Sequence, residues 1–222
     1  ISVSTGQSRG LAGSLSLLVG ESTSGSESGN VNIDAGDSSV SGSVGGVVSI
    51  ASGTSSEGGS ILLKGGTGTD SNGGSASLHS GGSVEADSGS FILGSPDAGS
   101  KGTSGSLTLS TGATNVGISG GIKISSGEAE GSNGKGGNIE ISVGSGTSAA
   151  GGDIAIKSGD TEAAFSGGLM DVTAGSGSFG GELRLSSGEG LDESGGTMFL
   201  SVGDGRGSEN GGSMYVDAGK TF

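Results

Sequence analysis

Cysteine and tryptophan are absent, proline occurs once, at Pro96, and the sole imidazole is His79. A disulfide framework and a thiolate zinc site are therefore excluded, and a lone histidine leaves acid–base chemistry little to work with. Aromatic residues make up only 3% of the chain, too few for an aromatic-rich core. Cations are scarce as well: 9 Lys and Arg stand against 23 Asp and Glu, a net charge of −14. A nucleic-acid backbone or an anionic lipid surface needs clustered Lys and Arg, so neither is an expected partner. Cations are the more natural small partners for such a surface. No apolar run approaches the roughly 18 residues of a membrane span, so no membrane insertion is expected. A charged-then-apolar leader and Asn-x-Ser/Thr are both missing, and N-glycans are not expected. The chain opens at Ile1 inside a repeat, which reads as a mature product or a segment of something longer.

What is abundant is glycine, 55 residues, and serine, 47, together about 46% of 222 positions. Such a share signals low-complexity coil. The aliphatic residues, however, are not scattered. A phrase Gly-x-φ-x-φ-x-x, with φ aliphatic, opens at Gly13, Gly29, Gly46, Gly59, Gly74, Gly89, Gly105, Gly120, Gly137, Gly152, Gly168, Gly181, Gly196 and Gly212. Representative φ pairs are Val31/Ile33, Ile61/Leu63, Leu107/Leu109, Ile122/Ile124, Ile154/Ile156 and Met198/Leu200. A truncated copy with Ile1 and Val3 precedes them. The mean step is near 15.3 residues, with single steps of 13 to 17.

Two φ positions one residue apart share a face of an extended backbone, so each phrase predicts a β-strand. The position two beyond the second φ lies on the same face and is small or modest, as at Val19, Ala35, Ser52, Thr111 and Val202. Intervening residues point the other way and are mostly polar, with Leu62, Ile92, Phe199 and Tyr215 as exceptions. Glycine at both ends of the phrase is expected to allow positive φ in tight corners and close backbone approach. Acids gather in the connections, for example Glu128 and Glu130 or Asp192 and Glu193, where the step length also varies. The two shortest steps, Gly46 to Gly59 and Gly168 to Gly181, lie 122 residues apart, as a duplicated eight-repeat block would place them.

A lone amphipathic strand cannot hide its apolar face, so it needs lateral neighbours and a second sheet in front of it. The expected fold class is all-β: a parallel β-solenoid of ~15-residue one-strand repeats, with two facing sheets and two repeats per turn. One repeat per turn and an antiparallel meander are the alternatives. Lys123 and Glu140 occupy the same outward slot of adjacent repeats, as do Asp171 and Arg184. Pairing them would favour adjacent repeats as neighbours, but exposed pairs contribute only ~0.2–1 kcal/mol. Residues 1–222 are read as one continuous array of about fifteen strands. Two apolar side chains per phrase do not clearly offset the ordering of its backbone, so neighbouring repeats or chains must add stability.

No catalytic, cofactor or metal site is expected. His79 takes an outward slot as a solvated residue. Gly65-Gly66-Thr67-Gly68 lacks the Lys-Ser/Thr ending and following helix of a phosphate loop. No serine has a His/Asp pair to activate it. Asp204-Gly205-Arg206-Gly207 and Glu189-Gly190-Leu191-Asp192-Glu193 look like the Gly/Asp turns of calcium-binding β-rolls, but acids do not recur at one register. The expected cation behaviour is weak Ca²⁺ binding by acidic loops.

Phrases such as Gly59-Ser60-Ile61-Leu62-Leu63-Lys64 and Gly152-Asp153-Ile154-Ala155-Ile156-Lys157-Ser158-Gly159 resemble the Gly/Ser-rich repeat tracts of very large secreted proteins of diatoms and related algae. More loosely, they are similar to the β-helical stalks of bacterial haemagglutinin-like adhesins. The resemblance implies an extracellular or cell-surface location and a structural or adhesive role. The expected function is thus non-enzymatic: a stiff filament, stalk or wall scaffold that associates with itself, end to end or laterally, into fibres. An adhesin or a cation- or glycan-binding surface module is the alternative.

Overall fold

The computed structural model describes residues 1–24, 27–132, 134–147, 150–162, 165–206 and 210–219. Among these residues there is no helix and no strand. The expected parallel β-solenoid is therefore not what the chain forms, and neither the one-repeat turn nor the antiparallel meander takes its place. Ile122 and Ile124, which two facing sheets would bury, are 58% and 69% exposed. No described residue is buried; Ala35, Gly65, Ser158, Ala174 and Gly190 are half-buried and the rest are exposed.

The total accessible surface is 22412 Å², against about 9,000 Å² for a globular chain of this mass and roughly 30,000 Å² for the unfolded one. The reason lies in the composition. Glycine loses more conformational freedom on ordering than any other residue and, like other small residues, offers a sheet little side chain to pack. Two aliphatics in fifteen residues return less than the backbone ordering costs.

The chain divides into two units, Ile1–Leu109 and Ser110–Phe222. The first contains four phrase-to-phrase closures, each a backbone bond from the glycine opening one phrase to a glycine ending the previous one. These are Gly46 N to Gly36 O, Gly59 N to Gly53 O, Gly74 N to Gly66 O and Gly89 N to Gly81 O, all 2.8–2.9 Å. The second has its own four: Gly168 N to Gly159 O, Gly181 N to Gly175 O, Gly196 N to Gly188 O and Gly212 N to Gly203 O, at 2.8–3.0 Å. Connections of different length thus end in the same bond. A variant joins Ser95 to Gly105, ten residues on, where the serine hydroxyl donates to the glycine carbonyl at 2.7 Å.

Positive φ occurs at Gly42, Gly117 and Gly131 among the described residues, all inside connections and none opening a phrase. The expectation of left-handed corners at the phrase ends is corrected accordingly. At Gly42, φ is +78° and Ser43 N donates to Val40 O at 3.1 Å, a type II turn in which glycine is required. Phrase-opening glycines serve close approach instead: a Cβ on Gly212 would stand 2.7 Å from Val202 Cγ1.

Candidate functional site

The feature that returns along both units is the aliphatic pair of each phrase with the small residue beyond it. Exposure alternates along the phrase. Met198 is 45% exposed, Phe199 89% and Leu200 66%, so one side of the backbone is partly covered and the other is open, as period two requires. The partial cover comes from the next phrase. The third residue of the covered side abuts the glycine that opens its successor, as Val19 does at Gly29, Ala35 at Gly46 and Val143 at Gly152. Sequence reasoning placed these third positions on the face of the aliphatic pair as small or modest residues and missed their contact. The signal was present: a small or β-branched residue is followed, after a connection of any length, by a residue with no Cβ.

A shallow depression of about 290 Å³ lies where two consecutive phrases meet, lined chiefly by Leu63, Lys64, Ala76 and Leu78. Its walls are Leu63 and Lys64 of one phrase and Ala76 and Leu78 of the next, so it offers an apolar side chain a seat.

Charged groups are solvated and pair locally. Arg184 donates from Nε to Glu182 Oε1 and from Nη2 to Glu182 Oε2, both at 2.8 Å. The two lie one residue apart on the same open side of one phrase, and the hydrogen bond to Glu182 raises the guanidinium pKa above its ordinary value. Arg184 is therefore not paired across phrases with Asp171, whose Oδ1 instead accepts from Thr173 Oγ1 at 2.8 Å. Lys157 Nζ bridges Asp160 Oδ2 at 2.6 Å.

His79, Asp192, Glu193, Asp204 and Arg206 are exposed, and Gly190 is half-buried. Gly207 and Glu209 lie outside the described residues. Among the described residues no group of three or more His, Asp or Glu is placed to share a metal ion. Gly66, in the glycine-rich stretch considered for phosphate, gives its carbonyl to the Gly74 closure. No described helix is long and apolar enough to cross a membrane.

Protein-family models, curated proteins and solved structures were all compared with the chain, and none of them matches it.

Proposed function

We propose that this chain is a non-enzymatic structural component of an extracellular or cell-surface assembly, a soft acidic filament or matrix segment in which many copies associate. The observation that carries the reading is the exposure of the whole aliphatic series: residues such as Ile61, Leu107, Ile139 and Leu183 keep about half of their surface in water. That apolar surface has no partner within the described chain and is therefore free for intermolecular burial. Fourteen net negative charges, carried mostly by the connections, keep such a chain hydrated and spaced from its neighbours. The resemblance to Gly/Ser-rich tracts of secreted algal proteins supports the location. Stiffness from stacked sheets is no part of this reading.

Sedimentation velocity over a concentration series, with calcium titrated in parallel by calorimetry, is the test. The reading expects mass to rise with concentration and calcium to give no saturable heat. A monomer at every concentration refutes it, and a saturable calcium stoichiometry would move the assignment to the alternative, a cation-binding surface module.

A further inference from the structure

The eight phrase closures are two copies of one set. Gly46, Gly59 and Gly74 are followed 122 residues later by Gly168, Gly181 and Gly196, and Gly89 is followed 123 residues later by Gly212, each with the matching acceptor. The contacts beside them repeat too: Val19 at Gly29 has its counterpart in Val143 at Gly152, and Ala35 at Gly46 in Ser158 at Gly168. The phrase spacing and the closing bonds of the first unit thus recur in the second. We propose that the aliphatic row of residues 1–100 is a docking surface for residues 123–222 of a second copy of this chain, laid parallel and shifted by one block.

This inference rests on the associating role given above and names its partner and register. A second copy is the occupant because its later block carries the short step in the same place, Gly168–Gly181 against Gly46–Gly59, with the other steps matching to within one residue. Six full phrases overlap. Covering what their aliphatics leave exposed buries on the order of 800 Å² per partner, the size of a standard interface.

Charge selects the shifted register over the unshifted one. With no shift, every one of the 23 carboxylates lies opposite its own copy, and like charges directly opposite destabilise. With the shift, like charges meet at Asp37 and Asp160, at Asp70 and Asp192 and at Asp87 and Glu209, the last outside the described residues. Aligned by phrases, Asp34 then comes opposite Lys157. The remaining block of each copy stays free for the next chain, so the contact is head-to-tail and does not close.

The test uses two full-length variants, Ser52→Cys and Ala174→Cys, in a chain with no cysteine of its own. Both positions end the covered side of corresponding phrases, Ser52 against Gly59 and Ala174 against Gly181, no described residue is buried, and Cys is a small replacement for either. Equimolar mixing under oxidised glutathione is expected to give mixed disulfides in about tenfold excess over the two homodisulfides. Species larger than a dimer should follow as concentration rises. Salt should increase the yield as the screening length falls from about 30 Å at 0.01 M to about 10 Å at 0.1 M. Homodisulfides in an associating chain would overturn the shifted register and leave the associating role standing. A chain that stays monomeric and forms no disulfide would overturn both. A yield that falls with salt would overturn apolar docking.

Discussion

Urea should dismantle this chain without a cooperative transition. The surface available to be exposed is the difference between roughly 30,000 Å² for the unfolded chain and the 22412 Å² already accessible, about 7,500 Å². A globular protein of the same mass exposes about 21,000 Å² on unfolding, nearly three times as much. Because the denaturant slope scales with the area exposed, it should be about a third of the globular value, and less still because real denatured chains are not fully extended. There is also no buried side chain among the described residues to couple one phrase to the next. Far-UV circular dichroism of a dilute sample against urea is the assay, and a shallow, near-linear drift with a coil-dominated starting spectrum is the expected record. A sigmoidal curve with a globular slope, or a β spectrum at monomeric dilution, would refute the argument that two aliphatics per fifteen residues do not order the backbone.

Amide exchange should be slowed at the eight donor glycines, among them Gly46 and Gly212, by a few-fold to about tenfold, the size expected of a lone exposed hydrogen bond worth ~0.5–1.5 kcal/mol. Gly212→Ala should abolish that protection locally, since its Cβ would press on Val202; adding Val202→Ala should restore it, and Gly53→Ala, with nothing within 4 Å, should change nothing. Light scattering against pH should peak near pH 4.2, where the net charge vanishes and apolar association is unopposed, and should fall as pH rises and negative charge builds.

Some elements were legible from residue order, and the reason differs from one to another. Period two along Met198, Phe199 and Leu200 is local geometry, and the alternation of exposure follows it without tertiary help. The recurrence of Gly46–Gly59 as Gly168–Gly181 is likewise carried by the chain itself and reappears in matching closures. Reading the phrase as a strand failed at Ile122 and Ile124 because alternation states which side chains share a side, not whether anything covers it. The glycine and serine content pointed the other way from the start, and it prevailed. The pairing of Arg184 with Asp171, discounted from the sequence as an exposed pair worth only ~0.2–1 kcal/mol, does not form: the nearest acid on the same side of the same phrase, Glu182, takes the guanidinium.

Residue order alone determined the spacing of the aliphatic pairs, the block duplication, the acidic connections and the want of thiol, imidazole and aromatic chemistry, because each depends only on which residues stand where. The tertiary structure decided that the pairs remain in water, that loops of unequal length end in one glycine-to-glycine bond, and that Arg184 finds its acid, Glu182, within its own phrase. Those outcomes turn on whether burial outweighs the entropy of ordering a glycine-rich backbone, a balance that pattern does not reveal.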